Sequence, residues 1–347
     1  MTMTHNHNPL SQKLHQLPKV DLHRHLEGSI RAETFIELVL PQDVLLPSYD
    51  PFELRRHVEI QADEPPGFMN FLSKFFLLHY MYTSPEVYHR VMCEVIEDAA
   101  NDNVAHLELR FSLRHLTRHM NFDMRDVIRW LHEARVEAER KHHITVALIP
   151  MLNREAPREL CEQIMDAVLA QPEGVLVALD LAGDELHNPI PPFMDLFDKA
   201  RDHGLKINAH AGEAKGADSV HNCVEFLEPV RIGHGVRAVE KPEVMQLLKD
   251  EGIVLEVCPT SNVQTGASHS YRDHQLKRLF ESGVKVTINS DDPRISRTTV
   301  TQECVLAIAE MGLSLDDVKS MNLAAAEASY LPPEQKAALI RRIKAAY

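Results

Sequence analysis

Two histidines separated by one residue, His23 and His25, are the side chains of this sequence best placed to do chemistry. On an extended strand, residues i and i+2 face the same way, so the two imidazoles can bind one cation. They follow Val20 and Leu22 and precede Gly28, as expected for a strand that runs into a loop. The alternative is two unrelated surface histidines, since the sequence contains 21. The pattern alone leaves both open.

A second pair, His5 and His7, repeats this spacing near the start of the sequence. Its neighbours are Asn, Thr, Pro and Ser, which do not favour a strand. We therefore predict that residues 1–16 form a flexible N-terminal leader, whose histidines can bind stray metal without belonging to a functional site.

Further residues able to bind a metal or transfer a proton each come directly after a short apolar run. They lie in the segments Asp180-Leu181-Ala182-Gly183-Asp184-Glu185, Asn208-Ala209-His210-Ala211-Gly212-Glu213, Arg231-Ile232-Gly233-His234-Gly235 and Asn289-Ser290-Asp291-Asp292-Pro293. Taken singly, each has an ordinary explanation, such as a core histidine, a tight turn or a helix cap. Their chemistry therefore depends on which elements position them.

Apolar, β-branched runs alternate with segments of helical periodicity along the sequence. Eight runs are predicted as strands, at residues 19–25, 104–111, 144–151, 175–182, 205–210, 230–234, 253–258 and 285–290. Helices are predicted between them, at residues 85–102, 123–142, 157–170, 192–203, 218–227, 240–250 and 272–282. This alternation is typical of an α/β fold of the (β/α)8 TIM-barrel type. A doubly wound open sheet is the alternative, but no glycine-rich dinucleotide loop follows the first strand.

The remaining segments are predicted to belong to one barrel domain over residues 17–347. Residues 31–103 are too long for a single crossover and contain helical patterns, so we predict a helical insertion that covers the barrel mouth as a lid. Residues 299–347 are predicted to form C-terminal helices outside the barrel.

In such a barrel, the carboxyl ends of the strands meet at one mouth. The predicted strands therefore bring together there His23, His25, His210, His234, Asp291 and Asp292. Burying so many ionisable groups without a cation would be costly. Nitrogen and oxygen ligands without sulfur suit a catalytic Zn²⁺ or another borderline divalent ion. No lysine stands out as a bridge to a second ion, so we expect one metal per chain.

The bulk properties exclude several classes of function. A net charge of −14 and an isoelectric point near 5.8 oppose nonspecific attraction to nucleic acid or to an anionic membrane. No apolar stretch of about 18 residues or signal sequence is present, so a cytoplasmic protein is expected. The five cysteines are scattered through apolar segments and form no C-x-x-C pair, which indicates core thiols instead of a thiolate zinc site.

Ordered motifs in this sequence resemble those of the adenosine/adenine deaminase family of metal-dependent hydrolases. They are His-Arg-His-Leu-Glu-Gly-Ser from His23, Leu-Ala-Gly-Asp-Glu from Leu181, His-Ala-Gly-Glu from His210, Arg-Ile-Gly-His-Gly from Arg231, Ser-Asn-Val-Gln-Thr from Ser261 and Ser-Asp-Asp-Pro from Ser290. The resemblance covers about residues 18–330. It implies a hydrolase of purine metabolism that removes the amino group from an adenine ring.

The resemblance also implies a role for individual residues. The zinc ligands would be His23, His25, His210 and Asp291. Glu213 would be the proton shuttle, and His234 would orient the attacking water. The purine would contact Asp292 and the backbone N–H of Gly183, and Glu27 would lie near the ribose.

Two positions bear on which adenine compound is the substrate. Adenosine deaminases commonly carry Asp where this sequence has Glu27, whereas Glu also occurs in relatives that act on adenine or on modified adenosines. Relatives that act on adenine tend to carry Asp in place of Gly233. We therefore predict that adenosine and deoxyadenosine are converted to inosine and deoxyinosine with release of ammonia. Adenine and a modified adenosine, for example 6-aminodeoxyfutalosine, are the alternatives.

A nucleotide substrate is a minor option. The arginines that could meet a phosphate are Arg24, Arg110, Arg114 and Arg294, but no phosphate-cradling glycine loop accompanies them. Outside this family, another metal-dependent amidohydrolase or a phosphotriesterase-type barrel could present similar histidines, usually around a bridged metal pair. A ligand-binding protein on a retired enzyme fold is the non-catalytic alternative, and the presence of Glu213 with all four implied ligands argues against it.

Overall fold

The eight strands predicted from the sequence form one parallel sheet in the computed structural model, which describes residues 9–347. In chain order they are β1 (Lys19–His25), β2 (Val104–Phe111), β3 (Thr145–Asn153), β4 (Ala178–Ala182), β5 (Lys206–Ala211), β6 (Arg231–His234), β7 (Val254–Val257) and β8 (Lys285–Ile288). Each strand pairs with the next one along the chain. Parallel neighbours require crossover helices, so this order confirms the (β/α)8 barrel.

Helices surround the sheet, and helices also precede β1 and follow β8. They are α1 (Pro9–Gln16), α2 (Ala32–Val39), α3 (Pro51–Arg56), α4 (Phe68–Ser73), α5 (Pro85–Asn101), α6 (Leu113–Thr117), α7 (Met124–His142), α8 (Arg158–Leu169), α9 (Met194–Asp202), α10 (Ala217–Leu227), α11 (Pro242–Asp250), α12 (Pro259–Gln264), α13 (Leu276–Glu281), α14 (Val300–Ala309), α15 (Leu315–Ala328) and α16 (Pro333–Ala346). Short 3₁₀ turns occur at Glu27–Ser29, Leu78–Met81, Pro191–Phe193 and Val236–Glu240.

The barrel closes where β8 meets β1. The N–H of His25 donates to the carbonyl of Asp291 at 2.9 Å, and the N–H of Asp291 donates to the carbonyl of His23 at 2.8 Å. Further from the mouth, the side-chain oxygen of Asn289 accepts the N–H of Leu22 at 3.0 Å. The closure of the barrel thus uses residues that the sequence places at its mouth.

The inside of the barrel below the mouth is ionic. Arg231 Nε lies 2.6 Å from Glu256 Oε1, and its guanidinium also pairs with Glu108. Arg110 Nη2 lies 2.7 Å from the other oxygen of Glu256. All four side chains are fully buried. Because removing one member would leave a buried charge unpaired, this layer holds the strands in a defined arrangement.

The segment between β1 and β2 docks onto the loops at the carboxyl ends of the strands. The N–H of Ile60 donates to the carbonyl of Ile295, and that of Gly67 donates to the carbonyl of Gln264, both at 2.9 Å. These bonds place α4 over the barrel mouth.

The last helices cover the opposite side of the first strand. Val20 and Leu22 pack with residues of α15 and α16, including Ala326 and Ile343. The side chain of Asn322 in α15 accepts the N–H of Val20 at 2.9 Å and donates to the carbonyl of Pro18 at 2.8 Å. The outward face of β1 is therefore buried, while its inward face carries the histidines.

The start of the described chain differs from the predicted leader. Residues 9–16 form α1, whose Leu14 is fully buried. The Lys19 ammonium donates to the carbonyls of Leu14 and Leu17 at 3.1 and 2.9 Å, which ties the end of this helix to β1. The pair His5 and His7 lies outside the described residues. In the part of the chain described, no helix has the length and apolar character needed to cross a membrane.

Candidate metal centre and active site

Four of the predicted site residues converge at the mouth. The Nε2 atoms of His25 and His210 lie 3.2 Å apart. Asp291 Oδ1 lies 3.3 Å from Nε2 of His23 and 3.2 Å from Nε2 of His25. The side chains are buried, and their nitrogen and oxygen atoms form groups that could hold a metal ion. Strands β1 and β5 and the end of β8 thus supply one set of donors.

The ring nitrogens that face away from this set are held by buried carboxylates. His23 Nδ1 lies 2.9 Å from Glu256 Oε2, and His210 Nδ1 lies 3.2 Å from Asp180 Oδ2. Arg110 pairs with both carboxylates. A carboxylate that accepts the Nδ1–H of a histidine leaves its Nε2 lone pair free for a metal. The pattern therefore suits metal binding and fixes the ring orientations.

Gly233 gives the imidazoles room to approach each other. A Cβ atom at this position would lie 2.6 Å from Cε1 of His23 and 3.3 Å from Cγ of His210. In this structure a Cβ at Gly233 would fit only if at least one of these two rings shifted. The donor atoms, their supporting carboxylates and this close approach all fit a single divalent cation.

Glu213 and His234 stand beside the donor set. Glu213 follows β5 on a turn, His234 ends β6, and His234 Nε2 lies 3.5 Å from Glu213 Oε2. On its other side, His234 Nδ1 lies 3.0 Å from Nδ2 of Asn262. Because an amide NH₂ can only donate, Nδ1 is the acceptor and Nε2 carries the proton. His234 therefore presents an N–H to the space beside Glu213.

Burial separates the protonation states of these groups. It raises the pKa of Glu213 well above its ordinary value, and the Asp291 and Glu185 carboxylates raise it further. It lowers the pKa of His234 well below the usual range and that of His25 to about 4. Burial opposes the ionisation of Asp291, but hydrogen bonds from His23 and His25 hold its pKa well below the ordinary value. The site therefore combines neutral imidazoles at His25 and His234 with an ionised Asp291 and a protonated Glu213.

Asp292 and Glu27 each leave an unpaired oxygen in the site. Asp292 Oδ1 and Glu27 Oε2 are buried and have no hydrogen-bond partner. Burial and the neighbouring Asp291 raise the pKa of Asp292, and burial raises the pKa of Glu27 to about 7. A Cβ at Gly28 would lie 1.7 Å from Asp292 Oδ1, so only glycine leaves this space to the aspartate. Buried, unpaired acceptors indicate a polar ligand in the cavity.

The backbone at two site residues is strained. His234 has φ of 61° and Asp291 has φ of 59°, a left-handed conformation that non-glycine residues seldom adopt. Such residues persist only where the surrounding structure holds them, and they concentrate at functional sites. Here the conformation turns both side chains into the mouth near the carboxyl ends of β6 and β8.

Comparisons with known proteins identify the family of this chain. A family model described as adenosine deaminase matches residues 18–346. The chain belongs to the adenosine deaminase family. A curated adenosine deaminase from Klebsiella pneumoniae (strain 342) is 37% identical over 327 residues, which cover 94% of this chain and 98% of that protein.

Solved structures of the adenosine deaminase family share the fold. An adenine deaminase from Arthrobacter aurescens has a TM-score of 0.88 at 25% identity, covering 95% of this chain and 98% of the other. An Arabidopsis N6-mAMP deaminase has a TM-score of 0.85 at 26% identity, covering 96% and 99%. Membership of this metal-dependent family makes the chain a hydrolytic deaminase that acts on C–N bonds, which confirms the resemblance seen in the sequence.

The cavity of this deaminase has two connected compartments. The inner compartment is lined by His25, Phe68, Phe71, Leu72, Phe75, Ala182, Gly183, His210, Glu213, His234, Asp291 and Asp292. The outer compartment is lined by His25, Glu27, Met69, Leu72, Phe75, Phe76, His115, Met151, Asn153, Glu155, Ala182, Gly183 and Asp184. The shared residues join them, and α4 forms one apolar wall. A flat aromatic ring in the inner compartment would have its substituent in the outer one.

Several residues of the site were not predicted as such from the sequence. Asp180 and Glu256 occupy buried strand positions, and only their contacts with His210 and His23 reveal their role. Arg110 stood out only as a possible phosphate contact, and the structure uses it inside the barrel. The apolar wall from α4 carries no motif at all. The position of Asn262 within the Ser-Asn-Val-Gln-Thr motif was the one signal for its contact with His234.

Proposed function

We propose that this chain hydrolyses adenosine and deoxyadenosine to inosine and deoxyinosine, with release of ammonia. The observation that carries the proposal is the convergence of the His25, His210 and Asp291 donor atoms beside the Glu213 carboxyl. The curated relative from Klebsiella pneumoniae supports adenosine as the substrate. A cytoplasmic location stays a prediction from the sequence.

We propose one zinc ion per chain, held by His23, His25, His210 and Asp291. Three imidazole nitrogens and one carboxylate oxygen form a donor set that zinc accepts, and no thiolate competes among them. The chemistry that zinc supplies in such a site is the formation of a nucleophile from water near neutral pH.

Glu213 is proposed to be the general acid and base. Its raised pKa keeps a proton available for the ring nitrogen next to the carbon that bears the amino group. Protonation of that nitrogen makes the carbon electrophilic, and the resulting carboxylate can then accept a proton from the attacking water and pass it to the amino group, which leaves as ammonia. The N–H of His234, directed by Asn262, orients the attacking oxygen toward the same carbon.

Asp292, Gly183 and Glu27 are proposed to hold the substrate. Asp292 lines the inner compartment, where a protonated carboxyl would hydrogen-bond a purine nitrogen. Gly183 lies between the two compartments and would offer its N–H to the ring. Glu27 lines the outer compartment and would accept from a ribose hydroxyl.

The charge of the outer compartment favours a nucleoside over a nucleotide. Its carboxyl side chains belong to Glu27, Glu155 and Asp184, and its described lining contains no Lys or Arg. Arg114, one of the candidate phosphate contacts, is paired with Glu155 of this lining at 2.6 Å.

The other candidate arginines are engaged elsewhere. Arg24 pairs with Asp21, Arg294 pairs with Asp98, and Arg110 lies inside the barrel. A 5′-phosphate would therefore meet like charge without a counter-ion, which costs binding energy.

The decisive experiment is a kinetic panel of adenosine, deoxyadenosine, adenine, AMP and 5′-extended adenosines with the zinc-loaded protein. We expect kcat/KM for adenosine to exceed that for adenine and for AMP by about 100-fold or more. Adenine lacks the ribose that contacts the outer compartment, and the phosphate of AMP would meet the carboxyl groups there. Inactivity on every 6-aminopurine compound would refute the proposal. A preference for adenine would move the function to the first alternative.

We predict that Glu213→Gln retains zinc and substrate binding but loses most turnover, by about 100-fold or more in kcat, because only proton transfer is removed. Zinc content after dialysis and kcat for adenosine are the measurements. Glu225→Gln, an exposed change on α10, is the control and should turn over normally. Near-normal kcat in the Glu213 variant would contradict the assigned role.

A further inference from the structure

Glu185, just beyond the end of β4, binds the turn that carries Glu213. Its carboxylate accepts four consecutive backbone N–H groups, from Gly212 at 2.7 Å, Glu213 at 3.2 Å, Ala214 at 2.7 Å and Lys215 at 3.0 Å. The hydroxyl of Ser219 in α10 donates to the same carboxylate. Glu185 is almost fully buried, with 3% of its surface exposed, so these donors meet it away from water.

These hydrogen bonds fix the path of the main chain between β5 and α10. Hydrogen bonds to a carboxylate are roughly twice as strong as those between neutral groups. The turn is also tightly packed, because Gly212 has φ of +68° and a Cβ there would lie 2.3 Å from Val220 Cγ2. Glu185 follows the neighbouring strand β4. It thus holds the Cα of Glu213 in place independently of the hydrogen bonds within the turn.

The position of Glu185 excludes direct contact with substrate. It is absent from the lining of both cavity compartments, whereas Glu213 lines the inner one. The Glu213 carboxyl lies beside His234, at 3.5 Å between Oε2 and Nε2. A displacement of its Cα would separate the proton donor from the reacting ring.

We propose that Glu185 is a positioning residue for proton transfer: its carboxylate clamps the 212–215 turn so that Glu213 stays aligned with His234 and the substrate. The proposal rests on the proposed function, because it assigns a mechanical role within the same site. It predicts that the contact matters for the chemical step more than for substrate or metal binding.

The test replaces Glu185 with Gln, whose NH₂ group cannot accept and would face backbone donors. We expect kcat for adenosine to fall about 30- to 100-fold, as misplacement of a catalytic group by about 1 Å can cost 10²-fold. KM should change less than about threefold, and zinc content should stay at the wild-type level, because the ligand His210 precedes the turn.

Ser219→Ala provides a graded second variant. It removes one of the donors to Glu185 and leaves the four backbone N–H groups in place. We expect a smaller loss of kcat, of about two- to fivefold, in the same direction.

Asp102→Asn is the matched control. Asp102 is another buried carboxylate, 6% exposed, that accepts a backbone N–H, from Thr301 at 3.0 Å, and it lies at the other end of the barrel. We expect this variant to lose thermal stability without a loss of kcat. A similar drop in kcat for both variants would show a general structural effect and overturn the proposal.

Hydrogen exchange gives a readout that needs no activity. In Glu185→Gln, the amides of residues 212–215 should lose protection while those of β5 and β6 keep it. Wild-type kcat in this variant, or unchanged protection of the four amides, would overturn the positioning role. Absence of turnover in the wild-type protein would instead refute the proposed function, and the exchange result would still decide whether the clamp exists.

Discussion

At the scale of single residues, the site depends as much on the absence of a side chain as on the ligands. Gly233 lies within strand β6, and its lack of a side chain permits the approach of His23 and His210. We predict that Gly233→Ala lowers zinc retention at least about tenfold, because its Cβ would lie 2.6 Å from Cε1 of His23. Zinc content after dialysis against a weak chelator measures the effect.

Two further variants serve as the positive and the negative control for this measurement. Asp291→Ala removes an implied ligand and should lose zinc outright. Gly67→Ala adds a methyl group where the nearest atom is 3.9 Å away, with extended backbone, and should behave as wild type. Wild-type zinc retention in Gly233→Ala would mean that the rings can shift without cost.

The sequence predicted the donors and missed their supports for a physical reason. His23, His210 and Asp291 are polar residues where apolar runs end, a conflict with burial that is visible in the sequence. Asp180 and Glu256 sit within the same kind of run, but nothing in their spacing tells which partner each one meets. The Asp180–His210 pair depends on β4 lying beside β5, whereas the Glu256–His23 pair crosses the inside of the barrel from β7 to β1.

At the scale of elements, the periodicity of apolar residues in the sequence correctly predicted the long helices and the buried strands. All eight strands lie within about three residues of their predicted bounds. The helices α3, α6 and α12 were not predicted, since five or six residues do not complete two turns and show no periodicity. One of the helical patterns predicted within residues 31–103 spans residues 68–83, but α4 covers only its first part and a 3₁₀ turn at Leu78–Met81 follows.

The contact between α14 and α12 gives an element-scale prediction. Glu303 in α14 accepts the N–H of Thr260 at 2.9 Å and the hydroxyl of Thr298. Burial raises the pKa of Glu303 to about 7. Since the folded protein holds this proton more tightly than the unfolded chain, the stability present below pH about 4.5 is lost as the pH rises through about 7.

Glu303→Gln should remove this loss. An upward shift from 4.5 to about 7 corresponds to about 3 kcal/mol at pH 8. The melting temperature of the variant relative to wild type should therefore rise by several degrees between pH 5 and pH 8. Glu334→Gln, an exposed change on α16, should show no such trend. A difference that is independent of pH would contradict the prediction.

At the scale of the whole molecule, metal binding and folding are linked through the barrel closure. We predict that chelation of the bound metal lowers the melting temperature by about 5 °C, because a ligand at 1,000 times its Kd stabilises by about 4 kcal/mol and large proteins shift little per kcal/mol. Calorimetry with and without chelator measures the shift, and readdition of one equivalent of Zn²⁺ should restore it. A requirement for two equivalents would favour a bridged pair.

Under the proposed metal assignment, the seam between β8 and β1 also sets when the protein can become active during its synthesis. His23 belongs to the first strand and Asp291 follows the last, and the backbone bond between them closes the sheet. A growing chain on the ribosome contains His23 and His25 long before Asp291 is made. Until then the first strand lacks the hydrogen bonds that close the sheet. A chain cut short before Asp291 lacks both this closing hydrogen bond and one of the proposed donors, so a working centre requires synthesis to pass the last strand.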